Sequence, residues 1–174
     1  EKGYSAVGVD EILQRTGISR CSFYYYFKTK EGFGAELIDR YRLSITQKLE
    51  RCLSDTSLSP LGSLRAFVGE VRDEMARTDC RSGCLAGKLA QEVNTLPENF
   101  REQLSAVFAE WQDVFAHGLK RAQETGEISP ELDCASTAAF FWYGWEGALQ
   151  RANLELNIKP VDIFIGNFFS RLTG

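Results

Sequence analysis

The sequence predicts an all-α protein, with a helix-turn-helix unit at its N-terminus and a larger helical domain after it. Two observations indicate helices. Apolar residues recur at three- and four-residue spacing along the long segments, most regularly over residues 97–125. Typical helix starts occur at Ser59-Pro60 and Ser129-Pro130, and a typical helix end occurs at Gly126. We expect the helix-turn-helix domain at residues 1–35 and the larger helical domain at residues 36–174.

The N-terminal motif covers residues 9–31 and predicts two short helices joined by a sharp turn. The first helix is expected at residues 10–15 and the second at residues 19–27, where the opening serine can cap it. Gly17 in the turn adopts φ > 0 without steric cost, as a reversal between two helices commonly requires. Five apolar side chains are expected to face inward and fix the crossing of the helices: Ile12, Leu13, Ile18, Phe23 and Phe27.

The outer face of the second helix carries groups that suit a DNA groove. Arginine forms bidentate hydrogen bonds to guanine, tyrosines and hydroxyls reach bases or phosphates, and a helix N-terminus with a lysine binds phosphate. The predicted DNA-binding residues are Arg20, Cys21, Ser22, Tyr24, Tyr25, Tyr26, Lys28, Thr29 and Lys30. Arg20 is the expected base contact. The expected phosphate contacts are Tyr25, Tyr26, Lys28 and Lys30.

The distribution of charge also indicates a nucleic-acid partner. Residues 12–30 carry four basic side chains and no acidic one, whereas the whole chain has a formal net charge of −4. A small basic face therefore lies on an acidic body, which is the electrostatic pattern expected of a protein that docks one surface on DNA.

The order of residues in this stretch resembles the N-terminal domain of the TetR family of bacterial transcriptional repressors. The matching segments are residues 2–4 (KGY), 9–13 (VDEIL), 16–19 (TGIS) and 22–31 (SFYYYFKTKE). The resemblance implies a transcriptional regulator whose remaining helices bind an effector and form a dimer, and it names no effector. The family's first helix is expected to be present only as its tail. Gly8 stands where a capping threonine or serine is usual.

Further helices are predicted along the rest of the chain. A connecting helix is expected over residues 30–54, with a stripe of apolar or aromatic residues at Phe33, Leu37, Tyr41, Ile45, Leu49 and Leu53. The following helices are expected over residues 60–79, 85–93, 97–125, 129–155 and 159–172.

The last two predicted helices are apolar on more than one side, most clearly over residues 138–145 (AAFFWYGW). A second subunit is the expected cover, and the arrangement resembles the family's dimerisation bundle. The predicted interface residues are Phe140, Gly144, Trp145, Phe164 and Phe168. A two-fold homodimer presents two recognition helices, so the operator is expected to be a near-palindrome with half-sites about 34 to 36 Å apart, or a multiple of that distance.

Several residues of the larger domain are candidates for an effector site, although the aromatic ones fit ordinary core packing equally well. Glu146 lies among apolar residues, so it is either the polar anchor of a pocket or a surface residue beside the interface. Cys80 and Cys84 are either electrophile sensors or small core residues. Residues 83–92 also resemble a subgroup of TetR-type repressors, some of which respond to reactive electrophiles. The predicted ligand-binding residues are Cys80, Cys84, Trp111, Phe115, Phe141, Trp142, Tyr143 and Glu146.

The sequence offers no arrangement typical of an enzyme, a metal site or a cofactor site. Cys80, Cys84 and the single His117 are too few ligands for a closed zinc site, and no phosphate-binding glycine loop occurs. The five cysteines lack the spacing of a disulfide framework, and no apolar run is long enough to span a membrane, so we expect a cytoplasmic protein. The alternative function is a helical small-molecule binding or thiol-redox protein without a DNA-binding role.

Overall fold

The computed structural model describes residues 3–173, and over this range the chain forms eight α-helices and one 3₁₀ helix without any strand. The α-helices are α1 (Val9–Thr16), α2 (Arg20–Phe27), α3 (Lys30–Ser54), α4 (Pro60–Arg77), α5 (Leu85–Gln91), α6 (Glu98–Glu124), α7 (Cys134–Glu155) and α8 (Lys159–Thr173). The 3₁₀ helix covers Val93–Thr95. The all-α prediction is confirmed. Lys2, in the first segment of the TetR resemblance, lies outside the described residues.

The chain divides into two compact units. The first comprises Glu1–Ser44 and Leu85–Val107, and the second comprises Ile45–Cys84 and Phe108–Gly174. Helices α3 and α6 each contribute residues to both units. The domain boundary expected between residues 35 and 36 stays a prediction, because compactness does not show which segment folds independently.

The helix-turn-helix is closed by the caps that the sequence predicted. Gly17 ends α1 with φ +70°, and its N–H donates to the Leu13 carbonyl over 2.9 Å. Ser19 then begins α2, and its hydroxyl accepts the N–H of Ser22 over 3.0 Å. Gly8 precedes α1 without a side-chain cap. The turn at Gly17 and the cap at Ser19 together fix where α2 starts, and therefore the direction of this predicted recognition helix.

Aromatic rings fill the interior of the first unit behind α2. Phe23 is 1% exposed, and its ring centroid lies 5.2 Å from that of Phe27 and 5.4 Å from that of Phe33. The expectation that Ile18 faces inward is wrong, because its side chain is 45% exposed. Ile18 lies in the extended turn before Ser19, and the three phenylalanines pack the wedge without it.

The buried line along the start of α3 differs from the predicted stripe. Leu37 is 39% exposed, whereas the neighbouring Ile38 is 2% exposed. Gly34 explains the difference, since a Cβ at this position would lie 2.5 Å from Phe100 Cζ and 2.7 Å from Tyr4 Cε2. The helix therefore packs most closely along Gly34 and Ile38, and Leu37 is turned toward solvent.

Helix α7 begins later than predicted. The sequence placed its start near Ser129-Pro130, but the helix starts at Cys134 with Asp133 as its N-cap. The amide of Gln123 donates to the carbonyls of Ser129, Pro130 and Leu132 over 2.9 to 3.1 Å. These hydrogen bonds hold residues 129–132 as a turn. Asp133 Oδ1 then accepts the N–H groups of Ala135 and Ser136 in the first turn of the helix.

The core of the second unit is an aromatic cluster between α6, α7 and α8. Phe115 stacks on Phe141 with ring centroids 4.1 Å apart, and Trp111 stacks on Trp142 at 5.2 Å. Phe168 from α8 packs on Phe141 at 5.0 Å. Within residues 3–173, no helix combines the length and apolar character required to cross a membrane.

Candidate DNA-binding surface and effector site

Helix α2 and the first residues after it bring all nine predicted DNA-binding residues onto one short segment of the first unit. Eight of the nine are exposed, and Lys30 is half-buried. Tyr25 and Tyr26 are 69% and 74% exposed, although they follow the buried Phe23 on the same helix. The segment therefore presents aromatic and hydroxyl groups to solvent while Phe23 anchors it from behind.

The hydrogen bonds of this segment show which charges are available to a ligand. The Arg20 guanidinium pairs with Asp10 on α1, and both side chains are mostly exposed. Exposed ion pairs contribute about 0 to 1 kcal/mol, so DNA can displace this one at little cost. Lys28 Nζ donates to the Tyr25 carbonyl over 2.7 Å and lies 5.2 Å from the centre of the Tyr25 ring.

Lys30 has a different environment from Lys28. Its ammonium donates to the Tyr4 carbonyl over 2.7 Å and lies 4.3 Å from the centre of the Tyr4 ring. Thr29 caps α3 by accepting the N–H of Gly32 over 2.9 Å. Lys30 thus holds the segment before α1 against the start of α3, a role that its sequence context did not suggest.

Seven of the eight predicted ligand-binding residues belong to the interior of the second unit, and one does not. Trp111, Phe115, Phe141 and Trp142 are at most 2% exposed, and Cys80 and Cys84 are buried as well. Glu146 is half-buried. Tyr143 is 71% exposed. Tyr143 directly follows the buried Trp142 on α7, and neighbouring residues of a helix face different sides, so its side chain points away from the core.

Two polar atoms in this interior lack a hydrogen-bond partner within the described residues: Trp142 Nε1 and Glu146 Oε1, both buried. Desolvation raises the pKa of Glu146 to about 7, and a hydrogen bond with the Cys84 thiol acts against that shift. A buried carboxyl and a buried indole N–H without partners are uncommon, since such groups carry a desolvation penalty. Trp142 Nε1 can donate a hydrogen bond, and Glu146 Oε1 can accept one.

The cysteine loop between α4 and α5 is held in an unusual backbone conformation. Asp79 and Cys80 have φ of 49° and 56°, a region that residues other than glycine seldom adopt. The amide of Asn153 on α7 donates to the carbonyls of Cys80 and Ser82 over 2.7 and 3.3 Å. Sequence reasoning missed Asn153, because a polar residue near a helix end carries no signal of such a contact. Burial, with Asp79 nearby, raises the pKa of the Cys80 thiol.

The outer surface of α7 and α8 is apolar in part. Phe140 and Tyr143, one turn apart on α7, are 61% and 71% exposed, and Ile163 on α8 is 53% exposed. A Cβ at Gly144 would lie 2.3 Å from Phe164 Cε2, so glycine permits the close packing of these helices. Two predicted interface residues, Trp145 and Phe168, are 2% and 6% exposed and already lie inside the unit.

An open groove lies elsewhere on the second unit, with a volume of about 740 Å³. Its lining includes His117, Arg121, Asp113 and Glu50. None of the predicted ligand-binding residues lines it. Across residues 3–173, no three His, Cys, Asp or Glu side chains are arranged to hold a metal ion.

Two protein-family models match the chain. Residues 1–37 match the model of bacterial regulatory proteins of the tetR family, and residues 60–168 match the model of the tetracyclin repressor-like C-terminal domain. The first includes the whole helix-turn-helix, and the second includes the aromatic cluster with Cys84 and Glu146.

Curated transcriptional regulators are similar in sequence to nearly the whole chain. The transcriptional regulator AcuR of Cereibacter sphaeroides is 44% identical over 97% of this chain and 77% of its own length. The transcriptional repressor DhaR of Mycobacterium sp. strain GP1 is 28% identical over 99% of this chain and 85% of its length. The transcriptional repressor NemR of Escherichia coli K12 is 23% identical over 93% of this chain and 81% of its length.

Solved structures of bacterial regulators have the same fold as this chain. The regulatory protein TetR from Rhodobacter sphaeroides superposes with a TM-score of 0.93 at 44% identity, covering 97% of this chain and 89% of that one. The reduced form of Escherichia coli NemR shares the fold, with a TM-score of 0.87 at 21% identity, covering 99% of this chain and 89% of that one. A non-enzymatic role in transcription accounts for the exposed face of α2. The chain belongs to the TetR family of bacterial regulatory proteins and is a DNA-binding transcriptional regulator.

Proposed function

We propose that the protein is a repressor that binds a near-palindromic operator as a homodimer and leaves it when a small molecule or an electrophile binds in the second unit. The observation that carries this proposal is the face of α2, where Arg20 and three tyrosines are exposed over a buried Phe23. Repressors among the relatives, DhaR and NemR, support the direction of regulation. Such a protein acts where the chromosome lies, in the cytoplasm.

The proposed DNA contacts follow from the chemistry of each exposed group. Arg20 exchanges its exposed partner Asp10 for a base edge in the major groove, where a bidentate arginine discriminates bases by about 1 to 3 kcal/mol. Tyr25, Tyr26 and Lys28 contact phosphates and set the position of α2. Lys30 contributes to the same phosphate site from the start of α3 while it retains its hydrogen bond to Tyr4.

The proposed dimer forms through the exposed apolar surface of α7 and α8. Phe140, Tyr143 and Ile163 supply its contact area, and the half-buried Phe164 beside Gly144 lies at its edge. A second copy is the fitting occupant, because two recognition helices on one two-fold axis match a palindromic site. Trp145 and Phe168 support this surface from inside the unit.

The proposed effector site is the interior around Trp142, Glu146 and Cys84. It is rich in aromatic side chains, and its two unpartnered polar atoms, Trp142 Nε1 and Glu146 Oε1, offer hydrogen bonds to a ligand. An effector can release the operator only if it binds the released conformation more tightly than the DNA-bound one. The unusual backbone at Asp79 and Cys80 is a place where two such conformations can differ.

The proposal is tested by mixing the complete protein with sheared DNA from its source organism and sequencing the fragments it retains. We expect enrichment of one near-palindromic site, with half-sites one helical turn or a multiple apart. A sedimentation run of the same sample is expected to show a dimer at micromolar concentration. Retention of fragments without any common sequence by a folded dimer would refute the proposal, and so would a sample that stays monomeric.

A further inference from the structure

Helix α2 ends in a tight turn whose backbone is strained at Lys28. The Thr29 N–H donates to the Phe27 carbonyl over 2.6 Å, across a single residue. Lys28, the residue between them, has φ 63° and ψ −45°, close to the rare γ-turn with positive φ. The chain uses glycine in comparable places, with Gly17 at φ 70° after α1 and Gly126 at φ 76° after α6. A lysine at this turn therefore requires a reason other than backbone geometry.

The turn is held in place by the helices on both sides of it. Only Lys28 and Thr29 separate α2 from α3. The Phe27 carbonyl oxygen lies so close to α3 that a Cβ at Gly32 would be 2.2 Å from it. Thr29 in turn caps α3, because its hydroxyl accepts the Gly32 N–H over 2.9 Å. These contacts maintain the strained conformation of Lys28.

The side chain of Lys28 reaches back to Tyr25 in the last turn of α2. Its ammonium donates to the Tyr25 carbonyl over 2.7 Å and lies 5.2 Å from the centre of the Tyr25 ring. Tyr25 is 69% exposed, and its ring also meets the Tyr26 ring, nearly perpendicular and 5.1 Å away between centroids. The contact with Lys28 therefore restricts the motion of a ring that is mostly surrounded by solvent.

We infer that Lys28 is a positioning residue for Tyr25. Its ammonium holds the exposed ring in the orientation that docks on DNA, and glycine could not supply this contact at the strained turn. The inference deepens the proposed function and rests on it in one respect, namely that Tyr25 contacts the phosphate backbone. An ammonium has three N–H donors, so Lys28 can keep the Tyr25 carbonyl and still donate to a phosphate. Ordering the ring in advance should raise affinity by about 3- to 10-fold for each subunit that docks.

The contact between Lys28 and Tyr25 is tested first without DNA, by nuclear magnetic resonance on the complete protein with ¹³C-labelled lysine. The ring current of Tyr25 should displace the Hε resonances of Lys28, and Tyr25→Leu should remove that displacement. Lys30 is the matched control, because its ammonium lies 4.3 Å from the centre of the Tyr4 ring instead. Lys28 resonances that Tyr25→Leu leaves in place would overturn the inference.

Lys28→Gly separates a positioning role from a purely structural one. The variant relieves the strained φ, so the midpoint of urea unfolding should equal or exceed that of the wild type. The affinity of a dimer for the selected operator should fall by about 10- to 100-fold, because both Tyr25 rings lose their support. A residue required only for folding would lower both quantities together. A lower midpoint in Lys28→Gly would therefore overturn the inference.

A double-mutant cycle determines whether Lys28 acts through Tyr25. The variants are Tyr25→Leu, Lys28→Met and the two combined, and affinity is measured for the operator and for a random duplex at low salt. With leucine at position 25, the loss caused by Lys28→Met should shrink to the few-fold effect of one phosphate contact. Lys30→Met combined with Tyr25→Leu is the matched pair, and its losses should multiply, because Lys30 contacts Tyr4.

The two duplexes separate this inference from the proposed function. Tyr25 is proposed to contact phosphates, so its coupling to Lys28 should appear on both duplexes. Coupling on the random duplex by a protein that selects no operator would refute the repressor proposal and support this inference. Losses for Lys28 and Tyr25 that multiply in full on both duplexes would overturn it.

Discussion

The sharpest consequence of the buried carboxyl is a dependence of stability on pH that one substitution should remove. Burial raises the pKa of Glu146 from 4.5 to about 7, so the native state holds a proton that the unfolded state has released over this range. Stability therefore falls as pH rises from about 4.5 to about 7 and is constant above that, as far as this group is concerned. Glu146→Gln removes the titration while it keeps the size of the side chain.

The magnitude follows from the shift. A pKa raised from 4.5 to about 7 corresponds to about 3 kcal/mol of unfolding free energy at most, and most of it is lost between pH 5 and pH 8. The wild type should therefore lose about 2 to 3 kcal/mol more unfolding free energy over this interval than Glu146→Gln. All other titrating groups are shared and cancel in the difference.

Urea unfolding followed by circular dichroism at several pH values measures this difference. Protein concentration must be held constant, because association makes apparent stability depend on it. Parallel stability–pH curves for the two proteins would refute the reasoning, since they would show that the carboxyl is either solvated or paired in the folded protein.

Three further predictions concern packing, capping and association. Phe115→Ala should lower the unfolding free energy by about 3 to 5 kcal/mol, because the buried ring that stacks on Phe141 is lost, and urea unfolding would measure it. Asp133→Ala should lower the unfolding free energy by about 1 kcal/mol, because it removes the cap of α7. Asp133→Asn should retain most of that stability, because asparagine also caps helices. Equal losses in the two variants would argue against capping. Phe140→Arg should shift the sedimenting species toward monomer without unfolding it, while the exposed Leu154→Arg serves as a control.

Much of the fold follows from local signals in the sequence. The turn at Gly17 and the caps at Ser19 and Ser59 are set by residues a few positions apart, and each was predicted and confirmed. The start of α7 was not, because the turn before it depends on hydrogen bonds from Gln123, which belongs to the preceding helix. Tertiary contacts of this kind leave no local pattern.

The side that a residue faces was harder to predict than the helix that contains it. Periodicity in steps of four favoured Leu37 as a buried residue, but close packing at Gly34 turns Ile38 inward instead. In the same way, an all-apolar stretch of α7 indicated burial without separating Trp142, inside the unit, from Tyr143, outside it. The ligand-binding role of the aromatic and carboxyl residues stays a prediction, and the hydrogen bonds from Asn153 to the cysteine loop were not predicted from the sequence.

The central claim, that α2 reads a specific DNA sequence through Arg20, is tested most directly by the ratio of two affinities at one salt concentration. The two ligands are the selected operator and a scrambled duplex of equal length. For the wild type we expect a ratio of about 10³ or more, and for Arg20→Ala a ratio lower by about 10- to 200-fold with little change in binding to the scrambled duplex. A wild-type ratio near one, or an Arg20→Ala protein that keeps the full ratio, would contradict the account.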